Sequence, residues 1–257
     1  MSHPALKTLA HRPWPIPDRQ WSLTMRWEEL LFLHWPVDPD LIRPHLPDDL
    51  ELHTFDGKAW LGVVPFMMAA TRFRWLPPMP TATRFPECNL RTYVRHKRDP
   101  AHDGRPGVWF FSLDAQSRLA VAGARAGFGL PYFYADMSCE QRTGRTHFQA
   151  VRRDRRGPPA TFQASWRPAA APQIAVAGTF EHFVVERYCL YAQHRGRLVR
   201  GDITHEPWQL SPVDLDLQTN DMFQLLNQEL SGPPVSALAA NAIEVAAWAP
   251  VRCQAQK

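Results

Sequence analysis

The sequence predicts an α+β fold built on a curled, mainly antiparallel β-sheet with a few short helices, and three observations predict it. Around Phe85–Met137, three segments alternate polar and apolar residues with the period of two that belongs to a strand. Turn-forming residues separate several apolar runs at hairpin spacing, as at Asp56-Gly57 and Asp154–Gly157. Strand-like segments outnumber helical ones, and no regular strand–helix–strand rhythm accompanies them.

The elements follow in order. Residues 1–20 are proline-rich and without periodicity, which predicts an arm on the surface; residues 21–257 are expected to form one domain. MRWEELLFLHW reads equally as helix or strand and is closed by Pro36 and Pro39. DPDLIRPHLP predicts a short helix with Asp38 as its N-cap and Pro39 in its first turn. Ala59–Met68 is apolar on both faces, the pattern of a buried central strand, and Pro65 within it predicts a bulge or an edge. Residues 72–84, with three prolines, predict an irregular loop suited to cover a cavity.

Beyond the central stretch, a helix is expected over 115–126, capped by Asp114 and ended at Gly127. Arg145–Arg153 and Ala160–Arg167 predict a hairpin around Asp154–Gly157, and RPAAAPQIAVAG a low-complexity connection. TFEHFVVERY predicts a helix with Thr179 as N-cap. RLVRGDITHEPWQL reads as strand, TNDMFQLLNQEL as a short amphipathic helix and NAIEVAAWAP as a closing strand.

The chemistry concentrates in the central stretch. Glu87, Asn89, Arg91 and Tyr93 fall on one face of the first strand, with Cys88, Leu90, Thr92 and Val94 on the other. The same alternation groups Val108, Phe110, Ser112 and Asp114 in the second strand, and Tyr132, Tyr134 and Asp136 in the third. So many aromatics beside charged groups point to a lined cavity, although an ordinary outer sheet face alternates in the same way. A carboxylate, Glu87, suits proton transfer, and the forked guanidinium of Arg91 suits a ligand carboxylate. A structural salt bridge between those two is the competing reading.

Composition narrows the function classes. The formal charge is +4, but the basic residues, only four of them lysines, are spread out, so no nucleic-acid footprint forms. The densest run, Arg152, Arg153, Arg155 and Arg156, lies at a hairpin tip and reads as a solvated turn. Cys88, Cys139, Cys189 and Cys253 are too dispersed for a zinc site or a disulfide framework, and a reduced, cytoplasmic protein is expected. No stretch has the roughly 18 apolar residues of a membrane span, and the first residues read as neither signal peptide nor anchor. Phosphate-binding, dinucleotide, serine-hydrolase and zinc-protease motifs are absent. His182 and Glu186 have ligand-like spacing but no third partner, so no metal and no cofactor is expected.

HWPVDPDLIRPHLPDDLELHTFDGKAWLGVVPF, FPECNLRTYV, GVWFFSLDA, ARAGFGLPYFYADM and VVERYCLY together resemble the YqjF-like family of bacterial proteins, of unknown function, over most of the chain from Trp27 onward. That family is grouped with the acetoacetate decarboxylase-like superfamily. The resemblance implies a cone or barrel around a small-molecule cavity, often in a homo-oligomer.

The superfamily's aromatic-x-Glu-Cys strand matches Phe85, Pro86, Glu87 and Cys88, and its arginine, six residues before a proline, matches Arg125 and Pro131. Its two lysines, the first of which forms the Schiff base, correspond to Tyr132 and Phe133 here, so the imine chemistry is not expected. The resemblance leaves Glu87 and Tyr132 as catalytic candidates. Arg91, Asn89, Tyr93, Ser112 and Arg125 are ligand-binding candidates. Two functional readings stand: an enzyme using acid–base chemistry on a small carboxylate or carbonyl compound, and a non-catalytic small-ligand-binding or structural protein on the same scaffold.

Overall fold

The computed structural model describes residues 3–76, 84–99, 104–228, 230 and 232–253. Sixteen strands and three α-helices follow in order: β1 (Leu23–Glu28), β2 (Leu30–Val37), α1 (Pro39–Ile42), β3 (Leu50–Leu52), β4 (Ala59–Phe73), β5 (Phe85–His96), β6 (Gly107–Ala115), α2 (Arg118–Phe128), β7 (Tyr132–Arg142), β8 (Arg145–Arg152), β9 (Thr161–Pro168), β10 (Gln173–Ile174), α3 (Phe180–Val185), β11 (Cys189–His194), β12 (Arg197–Thr204), β13 (Gln209–Asn220), β14 (Ser236–Ala240), β15 (Ile243–Ala247) and β16 (Val251–Arg252). The ambiguous MRWEELLFLHW resolves as β1 and β2. The expected helix in TNDMFQLLNQEL is a 3-10 turn over Met222–Leu226.

All sixteen strands belong to one sheet that closes on itself. One circuit of pairings runs β4-β1-β15-β12-β11-β6-β5 and returns to β4. The second runs β6-β7-β8-β9-β13-β14-β2-β4-β5 and returns to β6. Strands β4, β5 and β6 are therefore a wall common to both rings, with a hydrophobic cluster against each side. One core cluster packs against one face through Val64, Phe66, Tyr93 and Phe183, and a second against the other through Leu61, Val63, Cys88 and Leu90.

Most pairings are antiparallel, but β6 pairs in parallel with both β11 and β7. The parallel β6–β7 step is made by a single β-α-β crossover through α2, a unit too isolated to leave a rhythm in the sequence. Pro65 sits at a local edge, in line with the expected bulge or edge, and among the described residues is paired only with Cys88 of β5. The register with β2 ends at Val63 and that with β1 begins at Met67, so proline occupies the gap where β4 changes neighbours on one side.

The expected cap of α2 is also displaced. Ser117, not Asp114, accepts from the backbone N–H of Ala120, and Gly129, not Gly127, takes the left-handed C-cap at φ 67°. Asp114 is instead a strand residue with a partner of its own. The caps at Asp38 and Thr179 stand as expected. Most of the 72–84 loop lies outside the described residues. Among the described residues, no helix is long and apolar enough to cross a membrane.

Candidate functional site

Strand β5 carries the site, and its alternation is as the sequence predicts. Glu87, Asn89 and Tyr93 are buried on one face and Arg91 is half-buried among them. β6 breaks its alternation. Opposite β5 the register slips so that Leu90 faces Ser112 while Arg91 faces Phe110, leaving Phe111 as an extra residue. Such a bulge turns every later side chain to the other face. Phe110 stays on the Glu87 face, whereas Ser112 and Asp114 share the opposite face with Leu90 and Cys88, their register partners. The expected grouping of Ser112 and Asp114 with Glu87 is therefore corrected. Leu113 and Ala115 take their places, with the small Ala115 opposite Glu87.

Tyr132 enters from the far side of β6. The parallel register sets it beside Leu113, and from there its hydroxyl donates a 2.9 Å hydrogen bond to Glu87 Oε2. Both groups are buried. Burial pushes the Glu87 carboxyl up to about 8, and the charge of Asp114 behind the wall pushes the same way, against the hydrogen bond from Tyr132. Burial, joined by the neighbouring carboxylate, raises the Tyr132 phenol well above its ordinary value. At neutral pH this is a neutral carboxylic acid whose one oxygen is engaged by a phenol, which leaves the other free to carry and donate the proton.

Farther along the same face, Asn89 keeps a buried Oδ1 without a partner. Arg91 donates through Nη2 to the carbonyl of Val184 at 3.3 Å, and its Nε is also unpartnered. Tyr93 bonds His34 Nε2 at 2.6 Å. Glu87 and Arg91 make no ion pair with each other: four residues apart on one strand, they are separated by about 13 Å of backbone. The salt-bridge reading of that pair is thereby set aside.

Arg125 lies apart from this line. On the last turn of α2, it donates to the backbone carbonyl of Tyr132 and to Asp154 Oδ2 at 2.8 Å, so it fastens the helix end to the start of β7. A half-open cavity of about 350 Å³, lined by Phe110, Phe111, Gly129, Pro131 and Gln193 among others, lies where β6 passes from β11 to β7. Pro131 immediately precedes Tyr132. Glu186 accepts from the Tyr188 hydroxyl and from the Trp208 amide, so its carboxylate serves local structure beside α3.

Three functional or structural residues escape the sequence reading. His34 is fully buried on the Glu87 face, and reading β2 as a strand finds it, because His34 alternates with Leu30 and Phe32. Arg187 is buried beside Tyr93 just past the end of α3, where the helical reading of TFEHFVVERY does not single it out. Arg152, expected at a solvated turn, has a side chain only 1% exposed; it makes a two-pronged ion pair with Asp114, both bonds 2.7 Å, behind the wall. Among the described residues Lys7, Lys58 and Lys97 are all exposed, so none stands beside Glu87.

The family model of an uncharacterised conserved protein family, DUF2071, matches residues 24–244. The chain is 43% identical over 205 residues to the uncharacterised protein YqjF of Bacillus subtilis strain 168, covering 80% of this chain and 81% of that one. Among solved structures, it is similar to the enduracididine biosynthesis enzyme MppR complexed with pyruvate, with a TM-score of 0.60 at 14% identity and 90% of each chain covered. An acetoacetate decarboxylase-like enzyme from Sphingomonas wittichii RW1 gives 0.60 at 13% identity, covering 93% of this chain and 95% of that one. Acetoacetate decarboxylase from Legionella pneumophila gives 0.59 at 15% identity, covering 94% and 92%. Identities this low speak for the fold alone. The curled double-ring sheet is thus the acetoacetate decarboxylase-like fold, and the chain belongs to the DUF2071 family of uncharacterised conserved proteins.

Proposed function

We propose that the protein binds a small oxo acid and exchanges a proton with it at Glu87, without a covalent enzyme–substrate bond. One observation carries the reading: a buried Glu87 carboxyl, held neutral near pH 7 and hydrogen-bonded by Tyr132, lies on the same strand face as the unpaired Asn89 Oδ1 and Arg91 Nε. A carboxyl tuned to about 8 is close to the working pH, where an acid and its conjugate base are both within reach. Tyr132 fixes the orientation of that carboxyl, and Arg91, farther along the same face, draws the ligand's carboxylate toward it by charge. Exposed lysines agree with a route that forms no imine. Pyruvate, bound by the similar fold of MppR, is the first ligand to try.

The test is the affinity for pyruvate, measured by calorimetry over a pH series that spans the Glu87 midpoint of about 8. Affinity should fall as pH rises through that midpoint, because an ionised Glu87 loses its donor proton and repels the anion. Glu87→Gln keeps an amide donor and should flatten the profile. No binding by wild type, or a profile in wild type as flat as in Glu87→Gln, overturns the reading.

A further inference from the structure

Among the described residues, the Tyr93 end of the same face holds two guanidiniums and no carboxylate to balance them. Arg187 is 6% exposed. Its Nε donates to the carbonyl of Phe183 at 2.6 Å and its Nη1 meets His53 Nδ1 at 2.9 Å, while its buried Nη2 has no partner. Arg91 spends one Nη2 bond on Val184 and leaves Nε bare. Both pack on the Tyr93 ring, at 5.1 Å for Arg187 and 5.7 Å for Arg91. Neither makes an ion pair with a carboxylate among the described residues, and the charge of Arg91 works against that of Arg187.

His34 completes the group. It is placed opposite Gly62, which is in turn opposite Arg91, so the three form one row across β2, β4 and β5. The missing side chain of Gly62 permits this: a Cβ there would come within 3.2 Å of His34 Nε2 and 3.3 Å of Arg91 Cγ. The Tyr93 hydroxyl has no other acceptor among the described residues, which assigns its proton to His34 Nε2. The imidazole hydrogen is then on Nδ1, which is buried and unpartnered. Burial and the charge of Arg91 keep the ring neutral.

Guanidinium groups donate and never accept, so none of these vacancies can be filled by another donor. Carbonyls at the end of α3 offset part of the charge, but a helix terminus supplies only a fractional one. A buried cation is otherwise strongly disfavoured unless an anion accompanies it. We propose that Arg187, Arg91 and His34 form a binding subsite for the carboxylate of a small organic acid, gripped through Arg187 Nη2, Arg91 Nε and His34 Nδ1. It shares the Glu87 strand face, but about 13 Å of backbone separates Arg91 from Glu87, more than one pyruvate spans, so the subsite takes a carboxylate of its own and does not rest on the reading above.

The test uses acetate, which carries the carboxylate and nothing for Glu87 to act on. The full chain, labelled with 15N-arginine, is titrated with sodium acetate against sodium chloride at constant ionic strength. The Nε–H resonance assigned to Arg91 by its loss in Arg91→Lys should move saturably with acetate, and the Arg187 resonance with it. Arg187→Met should weaken acetate at least about tenfold, while the exposed Arg197→Gln leaves it unchanged. Where Arg187→Met fails to fold, Arg187→Lys serves, since it keeps the charge and loses the fork; weakening is again expected.

Shifts that follow ionic strength rather than acetate, or acetate affinity unaltered in a folded Arg187 variant, overturn the subsite. Saturable acetate binding in a protein whose pyruvate affinity ignores pH leaves the subsite standing and removes the acid–base reading alone.

Discussion

Replacing Arg152 with methionine tests whether the wall between the two rings is tied by a buried charge pair. The guanidinium meets Asp114 through two bonds of 2.7 Å, donates a third to the carbonyl of Pro158 at 3.3 Å and lies 4.4 Å from the centre of the Phe133 ring. Both charged side chains are almost wholly excluded from water. Removing the cation strands a buried carboxyl, whose affinity for a proton burial already raises. Losing one member of such a pair costs about 3–5 kcal/mol, which for a chain of this length lowers the melting temperature by roughly 10 °C. Asp114→Leu together with Arg152→Met removes both charges and should recover most of that loss, since a buried pair is worth little against apolar residues of similar size. Urea unfolding of the wild type, the single variants Arg152→Met and Asp114→Leu and the double variant at neutral pH yields the coupling. A loss below about 1 kcal/mol in Arg152→Met, the scale of an exposed pair, would refute the reasoning.

Glu87 links stability to pH. Its folded midpoint of about 8 exceeds the ordinary 4.5, so the native state binds the extra proton, stability is full below the lower value, and it declines as pH rises through 8. The decline approaches about 5 kcal/mol at the limit, and Glu87→Gln should lose that slope; parallel pH profiles of urea midpoints for the two proteins would contradict the buried-acid assignment. Gly129→Ala should cost about 2 kcal/mol or more, because φ is positive and the new Cβ would stand 2.6 Å from the carbonyl of Gln193. Gly127→Ala, inside α2 with nothing within 4 Å, should be neutral or stabilising by up to about 1 kcal/mol. Equal melting temperatures for these two variants would displace the helix end from Gly129.

The sheet and the loaded face of β5 are legible in the sequence because a strand that separates two cores repeats its pattern with every second residue. Glu87, Asn89, Arg91 and Tyr93 are found in this way, and Tyr132 through the family resemblance. β6 hides its bulge, since the extra Phe111 is as apolar as its neighbours and nothing local marks the slip. Asp114 therefore looked like a cap for α2, although Ser117 lies closer to the helix. Arg152 looked solvated because a run of arginines resembles a surface turn, and its buried partner lies 38 residues away. His34 and Arg187 are obscured for different reasons: β2 reads equally as a helix, and the helical reading of TFEHFVVERY runs through Arg187, which lies just past the end of α3 at Val185.

The proton step itself is tested most directly by exchange of the methyl protons of pyruvate for deuterium, followed by proton NMR in deuterated buffer near the Glu87 midpoint. The account predicts exchange faster than in buffer alone, lost in Glu87→Gln, slowed in Tyr132→Phe and insensitive to cyanoborohydride, which reduces an imine but leaves the ketone, because no imine forms. Exchange no faster than in buffer, or unchanged in Glu87→Gln, would contradict it.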